Sequence, residues 1–119
     1  MVRRKENISF ERKPSPFNGK GEITVRNLLE GEEEMHHRGR VFAHTTVYPG
    51  SAIGYHVHQG ESETYYILSG KGTYNDNGTP VDIHPGDVFF CGSGEGHGIE
   101  AVDEPIEMIA LILYQSDQK

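Results

Sequence analysis

A chain of 119 residues has room for one domain, which excludes a two-domain enzyme. Its formal net charge is −7 and no basic run of five residues occurs, so the electrostatic footprint of a nucleic-acid or anionic-membrane binder is missing. Fifteen Gly and six Pro without low-complexity runs point to many tight turns, whose natural partners are short strands.

The start, Met1-Val2-Arg3-Arg4-Lys5, is basic like the head of an export signal, but the residues that follow contain no apolar stretch to continue one. No run approaches the roughly 18 apolar residues of a membrane-spanning helix. The single Cys91 has no partner for an internal disulfide, and a cytoplasmic location is the expectation. Residues 1–20 are charged, are interrupted by Pro14 and Pro16, and show no helix or strand period before the Asn18-Gly19 turn signal. They read as an arm. Ile23, Val25 and Leu28 begin an alternating strand, which the acidic run Glu30-Gly31-Glu32-Glu33-Glu34 ends as a solvated loop. The expected organisation is therefore an N-terminal arm with an edge strand over residues 1–35 and a barrel over residues 36–119.

From Arg40 onward the texture is that of strands: Val41 to Val47, Ile53 to His58, Glu63 to Leu68, Gly72 to Asn75, Val81 to Ile83, Val88 to Cys91, Ile99 to Val102 and Ile106 to Tyr114. Glycines at 50, 60, 70, 78, 86 and 94 set the turn rhythm of an all-β sandwich or barrel. The last run is almost continuously apolar, so it is expected to be buried on both faces, in the core and at a subunit contact.

Seven histidines occur, at 36, 37, 44, 56, 58, 84 and 97. Residues i and i+2 of a strand face the same way, about 6.6 to 6.8 Å apart at Cα, so His56 and His58 can aim two imidazoles at one ion. Glu63 opens the next strand and adds a carboxylate. His97, after the loop Gly92-Ser93-Gly94-Glu95-Gly96, can enter the same cavity from a distant strand. Three imidazoles and a carboxylate suit a divalent transition metal; octahedral Mn, Fe or Ni would keep two positions open, whereas Zn more often closes at four ligands. His36, His37 and His84 read as surface or turn residues.

The stretch from Gly50 through His56, His58 and Glu63 to Gly70 resembles the first cupin motif, G-x5-H-x-H-x4-E-x6-G, at every fixed position. The stretch from Gly86 through Gly94 to His97 resembles the second, G-x5-P-x-G-x2-H-x3-N, with Gly92 in place of Pro and Ala101 in place of Asn. The resemblance covers about residues 40 to 114. It implies an all-β, antiparallel double-stranded β-helix, the jelly-roll barrel, with a metal on His56, His58, Glu63 and His97. It also implies a homodimer in which the N-terminal segment lies across the partner.

Pocket residues depend on strand parity. If Phe42 faces inward, Arg40 and His44 do too, and Arg40 could grip a carboxylate; if Val41, Ala43, Thr45 and Val47 fill the core, Arg40 and His44 face solvent. Tyr65 and Ile67 share the parity of Glu63 and are expected in the pocket, while Tyr55, Thr64, Tyr66 and Leu68 face away. Within the family the chain looks most like small oxalate-decarboxylase-like proteins, which implies a metal-dependent enzyme for a small carboxylate-bearing molecule. A dioxygenase, a sugar isomerase and a non-catalytic module binding a small ligand or metal are the alternatives. Decarboxylation would need a carboxyl group on a lid; Glu61 and Glu95 lie near the motifs, but neither belongs to them. No catalytic residue is assigned.

Overall fold

Two-residue alternation of more and less buried side chains is clearest over residues 61–69 and 106–114 of the computed structural model, which describes residues 1–116; the last three residues of the expected barrel lie outside the described residues. Ten strands form among them: β1 (Phe10–Pro14), β2 (Glu22–Asn27), β3 (Gly39–Val47), β4 (Ala52–Val57), β5 (Glu61–Ser69), β6 (Gly72–Asp76), β7 (Thr79–Asp82), β8 (Val88–Cys91), β9 (Gly96–Ala101) and β10 (Ile106–Tyr114). They pair antiparallel in two sheets, a six-stranded one ordered β1-β2-β3-β10-β5-β8 and a four-stranded one ordered β4-β9-β6-β7. The fold is an all-β jelly roll. No helix among the described residues is long and apolar enough to cross a membrane.

The core lies between the sheets. Val47, Ile67, Tyr74, Ile99, Ile106 and Met108 are buried there. Register explains the row: Ile23 of β2 lies opposite Val47 of β3, and Val47 lies opposite Ile106 of β10, so all three side chains point to one face. Truncating a side chain as enclosed as Met108, which is 0% exposed, to Ala would cost about 2 to 5 kcal/mol.

Two features differ from the sequence expectations. Strand β10 is buried on one face only: Ile106, Met108, Ala110 and Ile112 are inside, while Glu107, Ile109 and Leu111 are half-buried and Leu113 is exposed. Its apolar outer residues belong to a sheet face that the chain itself does not cover. The first 20 residues, featureless by periodicity, carry β1, which pairs with β2 from Phe10 opposite Arg26 to Pro14 opposite Glu22. All five β1 residues are exposed, so no alternation marks them as a strand. The acidic run closes one helical turn, α1 (Gly31–Glu34), whose Glu34 pairs with Arg3 at 2.8 Å.

Candidate metal centre

Each candidate ligand is placed by a separate feature of the sheets. Ile53 of β4 is buried, and strict alternation would turn His56 outward; a register shift between Ile53 and His56 against β9 reverses the parity. His56 then lies directly opposite His97 of β9. His58 follows the end of β4, and Glu63 faces inward from β5. Donor atoms of His56, His58, Glu63 and His97 all lie within 4.8 Å of one another, and three of the four residues are buried.

The outer nitrogen of each ring is already engaged. His56 Nδ1 donates to the Gly54 carbonyl at 2.8 Å, and His58 Nδ1 donates to the Glu61 carboxylate at 2.7 Å. Both partners only accept, so both Nδ1 atoms carry the hydrogen and the Nε2 atoms present lone pairs when the rings are neutral. His97 Nδ1 meets the Tyr74 hydroxyl at 2.8 Å. At the centre, Glu63 Oε1 is 3.1 Å from His58 Nε2 and from His97 Nε2, those two nitrogens are 3.2 Å apart, and His56 Nε2 stands 4.0 Å from Glu63. Lone pairs facing one another at such distances repel unless a proton or a cation lies among them.

Electrostatics agree with a cation-ready cluster. Burial by itself would raise the Glu63 carboxyl, but the imidazoles around it, His58 and His97 at hydrogen-bond distance and His56 just beyond, outweigh it and hold the group well below the usual carboxylate range. Its hydrogen bond to Glu63 raises His58, against the opposing effect of burial. His97 goes the other way, lowered by burial. Glu61 is lowered chiefly by its pairing with Arg40, whose guanidinium grips it with two 2.8 Å hydrogen bonds. The donor set therefore matches a divalent metal: one fixed negative charge and three aimed imidazoles.

Residues 43–112 match the cupin domain family (Cupin_2). The chain belongs to the cupin family. This cupin is 45% identical over 114 residues to a Thermotoga maritima protein named oxalate-binding protein, covering 95% of this chain and 93% of the relative. A crystal structure from Thermotoga maritima, described as a predicted oxalate decarboxylase, superposes with a TM-score of 0.89 at 44% identity, covering 96% and 99% of the two chains. KdgF from a Halomonas species, at 14% identity and a TM-score of 0.75 over 98% and 96% of the chains, shares the fold.

The cavity of this cupin above the cluster has a volume of about 120 Å³. Tyr65 lines it, 2% exposed, with its ring stacked on His97 at 5.0 Å; burial pushes its hydroxyl well above the ordinary value, which makes it a neutral wall. Ile67, also expected in the pocket, is packed in the core and is not part of the cavity lining. The parity of β3 resolves against Phe42 and His44. Ala43, Thr45 and Val47 are buried inward, whereas Phe42 and His44 sit on the outer face, where His44 Nε2 meets Glu107 at 2.7 Å. Arg40 does reach the cavity rim, but its guanidinium is held by Glu61 rather than free for a ligand. Glu95, for its part, accepts the Gly92 amide at 2.7 Å. His36, His37 and His84 are exposed, and Cys91 is buried, its thiol pushed up to about 11 by burial.

The N-terminal segment supplies cavity residues that sequence reading did not single out. Phe17, in the turn Pro16–Asn18, stacks on His56 with centroids 3.9 Å apart and planes 11° apart. Lys13 and Pro16 join it in the lining. The turn can lie this flat because a Cβ on Gly54 would collide with the Phe17 carbonyl oxygen, and one on Gly19 with that of Ala52. The Asn18-Gly19 turn signal was the one trace of this arrangement in the sequence.

Proposed function

We propose that this cupin holds one divalent transition-metal ion, Mn, Fe or Ni ahead of Zn, on His56, His58, Glu63 and His97, and through it binds a small carboxylate such as oxalate. The observation that carries this reading is the pair of acceptor-only partners, the Gly54 carbonyl and the Glu61 carboxylate, which leave the Nε2 lone pairs of His56 and His58 aimed at Glu63. The ion, when bound, supplies a Lewis acid for carboxylate oxygens. The chain supplies the rest. Phe17 and Tyr65 wall the cavity, and at its rim Lys13 stands beside the paired Arg40 and Glu61. A volume of about 120 Å³ is below the roughly 300 to 1,000 Å³ of pockets for drug-sized ligands, which favours a small acid over a sugar. The name of the Thermotoga maritima relative supports the same ligand class.

Decarboxylation is the second reading, favoured by the description of the Thermotoga maritima structure. Loss of CO2 from such an acid leaves a carbon that must take a proton. Among the lining groups, the cluster residues are committed to the ion, Arg40 to Glu61, and the Tyr65 hydroxyl is held neutral by burial, which leaves Lys13 as the proton source. Calorimetric titration of manganese-loaded protein with oxalate, with formate assayed in the same samples, tests both readings. Binding without formate supports the first reading and formate production the second; an absence of heat with metal-replete protein overturns the ligand assignment.

The oligomer we propose is a homodimer through the outer face of the six-stranded sheet. There Tyr66, Leu68, Val88, Phe90 and Leu113 are between 42% and 61% exposed, a grouping of exposed apolar side chains of the kind that marks an interaction site. Light scattering that returns the mass of a single chain would remove this proposal.

A further inference from the structure

We propose that Lys13 is the second anchor of the bound acid and makes the site selective for dicarboxylates over monocarboxylates. The inference rests on the reading of the cluster as a metal centre for small carboxylates, and adds the residue that counts the ligand's charges. Lys13 sits opposite Ile23 in the β1–β2 register, and directly opposed residues of antiparallel strands project to the same face. Ile23 is a core residue, 5% exposed. The edge strand therefore turns a lysine toward the barrel interior, where it lines the same cavity as His56, His58 and Glu63.

Two cations line this cavity, and they are not equivalent. Arg40 is neutralised by its two-pronged contact with Glu61, which in turn holds His58. Its charge is spent on positioning a metal-site imidazole. Lys13 has no acid partner among the described residues. An ion bound by one carboxylate of a small acid leaves a second carboxylate, if there is one, to be matched at the mouth of the cavity, and the flexible Lys13 ammonium is the free charge that can meet it. A monocarboxylate offers it nothing to pair with.

The test compares two two-carbon acids that differ by one carboxylate, oxalate and glycolate, by calorimetry on manganese-loaded protein. Lys13→Met should weaken oxalate about tenfold, the scale of one partly screened charge contact, and change glycolate less than about twofold. Lys13→Arg should restore most of the oxalate affinity. Manganese content, measured by elemental analysis, should stay at the wild-type level in both variants, since neither removes a ligand of the ion. Equal losses for the two acids, or none for either, would show Lys13 to be a solvated rim charge and overturn the inference while leaving the metal-site reading intact. Wild-type protein that holds manganese but binds neither acid would overturn both.

Discussion

The Glu61 carboxylate stands between Arg40 and His58, taking two 2.8 Å hydrogen bonds from the guanidinium and one of 2.7 Å from the imidazole. The arrangement orients His58 without touching the centre, since the bond is made at Nδ1 and leaves Nε2 toward Glu63. Partners of this kind usually contribute about 10- to 100-fold to metal affinity. Glu61→Gln keeps the shape but removes the charge that fixes the tautomer. The expected result is a manganese dissociation constant raised about tenfold, with a smaller effect on the melting temperature, because the Gln amide oxygen can still accept hydrogen bonds from Arg40 and His58. Metal titration and thermal denaturation on the same preparation separate the two effects.

Tyr74 performs the corresponding task for His97, but inside the core. Its ring is 2% exposed, and its hydroxyl lies 2.8 Å from Nδ1 of a histidine that is 1% exposed. Tyr74→Phe leaves that nitrogen buried without a partner, a penalty of about 1 to 3 kcal/mol. Here stability and metal affinity should fall together, and added manganese should recover part of the lost melting temperature. A variant as stable as the wild type would show that water replaces the hydroxyl.

Legibility in the sequence followed the range of the interactions involved. Most strands from β3 to β10 announce themselves through alternation or regularly spaced glycines, because strands such as β5 and β10 bury one face against the core. The spacing His56, His58, Glu63 and distant His97 locates the cluster for a similar reason: metal-ligand geometry constrains residue type at fixed intervals. The parity of β4 was not readable, since the register shift that reconciles inward Ile53 with inward His56 leaves no sign beyond Gly54. Arg40, Phe42 and His44 stayed ambiguous because two adjacent parities of β3 were both partly apolar; His44 settled outward once Glu107 of β10 offered it a partner. Phe17 and Lys13 were invisible for a different reason. Edge strand β1 is exposed throughout and has no period, so its position depends wholly on pairing with β2 and on the close approach at Gly54.

Proton competition should shape metal binding. An ion needs the Nε2 lone pairs of His56, His58 and His97 bare. In the metal-free protein the hydrogen bond to Glu63 holds a proton on His58 above its ordinary value of 6.5, so that proton must leave when the ion enters. The sign follows: affinity is greatest where His58 would be neutral even without metal, and falls as pH drops through the raised value and below it. His97, lowered by burial, adds to the competition only at more acidic pH. Manganese titrations from pH 8 to pH 5.5 should show the dissociation constant rising by about tenfold per unit at the acidic end, with proton release measurable in buffers of different ionisation enthalpy. A flat profile would count against imidazole ligation.

The close approach at Gly54 couples the N-terminal turn to the metal centre and can be broken at one atom. A methyl group there would strike the Phe17 carbonyl oxygen, so Gly54→Ala must lift the Pro16–Asn18 turn away from β4 and unstack Phe17 from His56. Overpacking of this kind costs about 1 to 3 kcal/mol. Phe17→Ala removes the ring without moving the turn and should cost less, about 0.5 to 1.5 kcal/mol for the lost stacking. Both variants keep all four candidate ligands, so manganese should still bind, while oxalate affinity falls because the cavity has lost its wall. The imidazole proton resonances of His56, displaced by the Phe17 ring current in the wild type, should shift in the same direction in both variants. If Gly54→Ala leaves those resonances in place, the turn does not rest on His56 in solution and the cavity is open on that side.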